Sequence, residues 1–389
     1  MNRFMSVFSQ ILQQLFSRRD FEKAVKETKA ERHARGFSSW SQFVAMLFCQ
    51  LGRAKSLREI CGGLACCEGK LSHLGIMAPK RSTLACANEH RPWMLHKQVF
   101  FQLLGRCQEV AKGRRKFRFK NKLVSLDASV IDLCATLFDW AKFRRTKGAV
   151  KLHLVLDHDG YLPTYAVITE GKQHEVTVAK ILSFPPGTLL VIDRGYTDYR
   201  WFATLTLQGV FFVTRLKDNA VYTVVGTREV PAHRHVVKDE LIELTGTGAP
   251  EKCPYPLRRV EVEDPDTGDT LVFLTNHLTF GATTIARIYK DRWQIDLLFK
   301  ALKQNLKVKT FVGMSANALH TQIWTALIAL LILKYLQLKS TFGWSLSNLV
   351  ALLQFQLFTH RDLWAWPNEP FTGPPVVAQA EQLVLAEVA

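Results

Sequence analysis

No Cys-x2-Cys pair occurs among the eight cysteines (Cys49, Cys61, Cys66, Cys67, Cys86, Cys107, Cys134 and Cys253). Nor does any Cys/His spacing suit a structural zinc, so the thiols read as reduced and mostly buried, in a cytoplasmic protein. The Gly-x4-Gly-Lys-Ser/Thr loop is missing, so no nucleotide hydrolysis is indicated and no nucleotide cofactor is expected. Gly-x-Ser-x-Gly and His-Glu-x2-His are absent as well. Long apolar runs are also lacking. The longest is Ile323 to Leu333, eleven residues ending at Lys334, too short to span a bilayer and suited to a buried helix. The amino terminus, MNRFMSVFSQILQQLF, is amphipathic and interrupted by glutamine, unlike a secretory signal. These absences predict a protein with no membrane partner.

What is present is positive charge, unevenly placed. The chain has 389 residues and a formal charge of +17. Residues 1–122 carry 24 lysines and arginines against 8 acids, whereas residues 123–389 are close to balanced, with 27 against 26. A basic first third on a near-neutral remainder points to a polyanionic partner, most simply nucleic acid. Seven cations lie between Lys112 and Lys122 (KGRRKFRFKNK), alternating with Phe117 and Phe119. This segment reads as a linker whose cations face DNA, or as an exposed strand edge protected by charge.

Residues 1–120 carry helical patterns. Phe4, Val7, Phe8, Ile11, Leu12 and Leu15 repeat at helical spacing, Phe21 to Arg35 reads as a basic helix ended by Gly36, and Ser56-Leu-Arg-Glu59 is a capping box. Arg53, Lys55, Arg58, Lys80, Arg81 and Arg91 are candidate phosphate contacts. From residue 121 to 310 the pattern changes. Strands are predicted at Leu123–Leu133, Val150–Leu156, Leu162–Ile168, Thr188–Ile192 and Val210–Thr214, with helices at Glu175–Leu182 and near Tyr199–Gln208. The turn Asp157-His-Asp-Gly160 joins the second and third strands. Residues 216–276 hold short β-like runs among glycine, proline and aspartate. Residues 311–389 read as helical to about Leu363, followed from Trp364 by a loosely ordered, weakly acidic tail.

The stretch IYKDRWQIDLLFKALKQNL, residues 288–306, carries the most specific pattern. Tyr289, Arg292, Asp296 and Lys303 stand at offsets 0, 3, 7 and 14. On a regular helix of about 100° per residue they fall within roughly 60° of arc. Ile295, Leu298, Leu302 and Leu306 cluster on a neighbouring face and read as the core side. Charge pairing of Arg292 with Asp296 at i,i+4 accounts for part of the stripe without any chemistry. Asp291 lies about 140° away around the helix and should not substitute for Asp296.

Tyr-x2-Arg-x3-acid-x6-Lys resembles the signature of DDE transposases of the insertion sequence 4 family, with Asp296 where that pattern has glutamate. LDAS around Asp127 and VIDRGYTD around Asp193 resemble the same family, as do GFSSWSQFVAMLFCQLGRAKSLREI and RSTLACANEHRPW in the first domain. The resemblance covers roughly residues 30 to 335. It implies an α/β fold: a ribonuclease H-like catalytic core with a β-rich insertion, preceded by a helical DNA-binding domain and followed by a helical C-terminal region. It also implies that Asp127, Asp193 and Asp296 are catalytic and bind Mg²⁺, with Mn²⁺ as a substitute. Tyr289, Arg292, Lys303 and the weaker candidate Arg194 would contact DNA. Tyr196, His153 and His174 are weaker still, and His174 reads as a structural histidine. The implied partners are the element's terminal inverted repeats, target DNA and a second copy of the chain. The activity is cut-and-paste transposition of a bacterial insertion sequence, with a hairpin intermediate. A flipped base would need an aromatic platform, for which Tyr222 and Tyr255 are the candidates in the insertion. Two rivals stay open, a DNA-binding relic left by catalytic decay at Asp296 and a ribonuclease H-like nuclease acting on RNA or junctions.

Overall fold

The computed structural model describes residues 5–32, 34, 36–133, 140, 142–144, 147–230, 235–264, 267–306 and 311–371. Seven helices open the chain: α1 (Val7–Leu15), α2 (Arg18–Thr28), α3 (Ser39–Leu51), α4 (Leu57–Ala65), α5 (Glu68–Leu71), α6 (Arg81–His90) and α7 (Met94–Ala111). Serines begin four of them. The hydroxyls of Ser6, Ser17, Ser38 and Ser56 each accept from the backbone N–H three residues on. The basic helix therefore starts earlier than its charge pattern predicts, at the Ser17 cap. It also ends earlier, at Thr28, because Lys29 turns into the left-handed region at φ 56°.

The strands are β1 (Leu123–Leu133), β2 (Lys142–Arg144), β3 (Lys147–Asp157), β4 (Leu162–Glu170), β5 (Leu189–Ile192), β6 (Phe211–Arg215), β7 (Tyr222–Thr227), β8 (Val236–Leu244), β9 (Leu257–Glu263) and β10 (Thr270–Thr275). Helices α8 (Glu175–Lys180) and α9 (Tyr199–Leu207) flank β5, and α10 (Ala249–Lys252) precedes β9. All ten strands share one sheet, in the order β2-β3-β1-β5-β6-β10-β9-β8-β7, with β4 also on β3. β3 runs antiparallel to both of its neighbours β1 and β4, and β5 and β6 run parallel to β1. The strands of residues 216–276 extend this sheet, because β10 pairs antiparallel with β6.

β5 has the sequence LLVI and is buried at every residue. Leu190 and Ile192 face the cluster that contains Phe202 of α9, while Leu189 and Val191 face α11 (Ala282–Asp291) through Ile285 and Ile288. Covering on both faces explains why the strand shows no polar alternation.

α12 (Trp293–Lys300) follows α11 directly and runs into a π-helical turn at Ala301–Asn305. Beyond it lie α13 (Ala316–Lys339), α14 (Leu346–Gln356) and α15 (Ala365–Asn368). Among the described residues α13 is the one helix long and apolar enough to cross a membrane, and 83% of its apolar window is buried inside the protein. It packs on α3, α6, α7, α14 and β4, so one apolar cluster runs from Val7 to Trp366. The first seven helices thus share their core with α13. Residues 372–389, most of the tail, lie outside the described residues, as does Cys134.

The 112–122 segment forms neither helix nor strand after the Lys112 cap. Phe117 and Phe119 stack with centroids 5.2 Å apart, and Phe119 meets Phe280 just before α11. Four of its cations are tied to acids: Lys112 to Glu109, Arg115 to Asp159, Lys116 to Asp291 and Lys122 to Asp157.

Candidate active site

The last parallel pair between β1 and β5 is Leu126 with Ile192. The next residue on each strand is an acid, Asp127 and Asp193. β1 does not end there: it continues to Leu133 against β3. Asp127 therefore lies within a strand, at the point where only the parallel ladder stops. Asp193 leaves the sheet and caps the 3₁₀ turn Arg194–Tyr196.

The third acid arrives from a helix. Ile295, Leu298, Leu302 and Leu306 are buried, the face that spacing assigned to the core. This anchors α12 with Asp296 turned toward β1. Arg292, at the junction of α11 and α12, places Nη1 3.3 Å from Asp127 Oδ2 and 3.4 Å from Asp296 Oδ2. Its guanidinium lies 5.5 Å from the centroid of the Tyr289 ring, and the Tyr289 hydroxyl donates to Asp193 Oδ1 at 3.4 Å. The five residues form one connected group.

The charges in this group perturb one another. Burial pushes the Asp127 carboxyl up to about 6, helped by Asp296 and Asp193 and opposed by the Ala128 N–H and Arg292. Burial and Asp193 also raise Asp296, against Arg292. For Arg292, burial opposes the charge, but Tyr289 and the three carboxylates outweigh it and hold the guanidinium above its ordinary range. Two polar atoms here are buried without a hydrogen-bond partner, Asp296 Oδ2 and Arg292 Nε. Both atoms keep hydrogen-bonding capacity that a further ligand could meet.

Three carboxylates with no thiolate or imidazole among them are the donor set of a hard divalent cation such as Mg²⁺ or Mn²⁺. Among the described residues, however, no three acidic, histidine or cysteine side chains stand close enough to share one ion. The group is closed on the Arg292 guanidinium instead.

The other predicted residues are more scattered. Lys303 lies on the π-helical turn, where the winding departs from the regular helix that placed it in the stripe. Arg194 is half-exposed, with Nη1 3.4 Å from Asp218 Oδ2. His153 is buried on β3 and bonds Thr169 Oγ1 of β4 at 2.9 Å, and His174 occupies the cap position of α8. Tyr222 and Tyr255 pack against the second apolar cluster, with Arg259 over the Tyr222 ring. The aromatic surface beside the acids comes from elsewhere. A cleft of about 620 Å³ is lined by Asp193, Arg215, Phe273, Tyr289, Arg292 and the exposed Trp293.

Two residues near the acids carried little signal in the sequence. Tyr196 is fully buried and its hydroxyl has no partner among the described residues; burial, then Asp127, Glu175 and Asp193, raise it far above the usual phenol range. Glu175 stands in the first turn of α8, paired with Lys151 at 3.2 Å.

Residues 4–77 match the family described as domain of unknown function DUF4372, and residues 118–332 match the transposase DDE domain family. The chain is 32% identical to y4zB of Sinorhizobium fredii, a relative named as a transposase, over 81% of this chain and 88% of the relative. It is 27% identical to a protein of Geobacillus stearothermophilus named as a transposase for insertion sequence element IS5377, over 70% and 72%. A third relative, from Synechocystis, is named as a transposase for element IS4SA and is 24% identical over 70% and 76%.

Proposed function

Because the chain belongs to the transposase DDE domain family and is a transposase of an insertion sequence, we propose that it performs cut-and-paste transposition through Asp127, Asp193 and Asp296. The strand order β4-β3-β1-β5-β6, three antiparallel strands followed by two parallel ones, supports a ribonuclease H-like core. Residues 288–306 support membership of the insertion sequence 4 group, with aspartate in the glutamate place. The observation that carries the reading is spatial. Acids 66 and 103 residues apart in sequence are linked through two side chains, Arg292 joining Asp127 to Asp296 and Tyr289 reaching Asp193.

DDE transposases use divalent metal ions, and such ions neutralise charge on the attacking and leaving oxygens of phosphoryl transfer. Asp127, Asp193 and Asp296 would hold them, with Mg²⁺ the proposed ion and Mn²⁺ a substitute. Arg292 offers a planar fork suited to a phosphate, and Lys303 a point charge. Tyr289 orients Asp193 through its hydroxyl. The 620 Å³ cleft beside Asp193 provides cationic and aromatic walls for a DNA strand entering the site. The basic first third of the chain would hold the terminal repeats, and a second copy of the chain would hold the opposite end.

The test is a cleavage assay on linear duplex carrying the element's own ends, with Mg²⁺ and with Mn²⁺. Strand breaks at the element boundary that vanish in Asp127→Asn support the proposal. Binding to the ends without breaks in either metal would favour the second reading, a decayed DNA-binding relic, which the short Asp296 side chain motivates.

A further inference from the structure

Behind the acids lies a second polar chain. Ser125 sits on β1 two residues before Asp127, on the same face of the strand. Its Oγ is 2.7 Å from His158 Nε2, and His158 Nδ1 is 2.7 Å from Asp291 Oδ2. Asp291 is the residue before Arg292. Tyr161 donates its hydroxyl to the same carboxylate at 3.2 Å, and Lys116 reaches Asp291 Oδ1 at 2.5 Å from the basic linker. Burial alone would raise the Asp291 carboxyl, but hydrogen bonds from His158 and Lys116 hold it below its ordinary range. An ionised carboxylate only accepts, so His158 Nδ1 carries a proton.

The order of bonds matches a nucleophile–histidine–acid triad, but Ser125 is 0% exposed and His158 and Asp291 are 3% exposed. No substrate reaches the Ser125 hydroxyl, and a hydrolytic role is excluded. What remains is geometry. β1 and the α11–α12 junction are joined by two parallel rungs: Asp127 to Arg292, and Ser125 through His158 to Asp291. The first rung consists of groups that must change partners when DNA and metal arrive. The second is buried and saturated.

We infer that Ser125, His158 and Asp291 are positioning residues that hold the junction of α11 and α12 at a set distance from β1, and so aim Asp296 and Arg292 at Asp127. The inference rests on the proposed role of the three acids. Displacing a reacting group by about 1 Å can cost about a hundredfold in rate, so a fixed rung matters even without touching substrate. Buried and fully bonded networks of this kind restrict a structure to one arrangement.

The test uses the full chain. Ser125→Ala deletes one hydroxyl and adds no volume. Cleavage at saturating Mn²⁺ and DNA ends should fall about tenfold or more, while affinity for the ends changes by less than about twofold. His158→Ala should do the same, and the double variant should be no slower than His158→Ala alone, because both break one chain. The Nδ1 proton should give a low-field ¹H resonance that moves in Ser125→Ala and disappears in His158→Ala. Asp127→Asn serves as the reference. If Asp127→Asn cuts normally, the assignment of the acids fails. If it is dead while Ser125→Ala cuts at the natural rate, only the positioning role falls. Loss of DNA affinity and rate together would equally overturn that role, leaving a structural network. Should His158→Ala not fold, the rate and resonance of Ser125→Ala decide.

Discussion

The Arg292 guanidinium stands between Asp127 and Asp296, 3.3 Å from one carboxylate and 3.4 Å from the other through a single nitrogen. One guanidinium thus serves two carboxylates. Burial of Asp127 and Asp296 carries a cost that Arg292 only partly offsets.

That cost has a pH signature. Asp127 is pushed up to about 6 in the folded protein, against about 3.9 in an unfolded chain. Between these values the folded state binds the extra proton, so stability falls as pH rises through the window and the loss is complete above about 6. Asp127→Asn removes the effect. In the metal-free protein the thermal midpoint of the Asn variant should rise relative to the natural chain between pH 4 and pH 6, then run parallel. A difference that does not change across this window would show that Asp127 is ionised freely.

The same carboxylates lead to a prediction on metal. Asp127→Asn and Asp193→Asn should each abolish strand cleavage while binding of element ends persists, since both side chains lie at the acid group and away from the basic helices. Gel-shift and cleavage measured on the same samples separate the two properties. Cutting at the normal rate by both variants would show that the acids have been misassigned.

Much of this site was legible in the chain because its parts are local. The strand at Thr188–Ile192 was visible as a short apolar run, and the spacing of Ile295, Leu298, Leu302 and Leu306 marked the buried face of α12. The long-range parts were not legible. Ser125, His158 and Asp291 are separated by 33 and 133 residues, and each has an ordinary local reading: a strand serine, a turn histidine, a helix-end acid. The angular placement of Lys303 assumed one regular helix, whereas a π-helical turn intervenes. Joining α13 to the first seven helices required knowing the tertiary packing, which no periodicity encodes.

That shared core bears on how DNA binding should be tested. A fragment of residues 1–122 would expose the surfaces of α3 and α7 that α13 covers, so the full chain is the proper material. Arg81, exposed in the first turn of α6, suits a phosphate contact. Arg81→Ala should weaken binding of duplex uniformly across sequences and lower the slope of log affinity against log salt by about one. Arg91 behaves differently, because its guanidinium bonds the Phe37 carbonyl and lies over the Phe37 ring. Arg91→Ala should lower the unfolding midpoint and leave the salt slope unchanged. A reversed pattern in the salt titration would reassign the two arginines.

Asp296 offers the sharpest test of activity. It is shorter than glutamate by one carbon–carbon bond, roughly 1.5 Å, and metal sites require ligand distances within about 0.2 Å. Its Oδ2 is buried, meets Arg292 at 3.4 Å and accepts no hydrogen bond, so the carboxylate stops short of a well-formed contact even with its nearest cation. Asp296→Glu extends the carboxylate toward Asp127 without moving α12, whose buried face is unchanged. The Glu variant should therefore cleave faster in Mg²⁺, tenfold if about 1.4 kcal/mol of transition-state stabilisation is gained, and Asp296→Asn should be inactive. The measurement is a Mg²⁺ titration of cleavage rate for the three proteins. A Glu variant no faster than the natural chain, beside a dead Asn variant, would mean that the backbone has already adjusted to aspartate. An Asn variant that still cuts would reduce Asp296 to the ion-pair partner of Arg292.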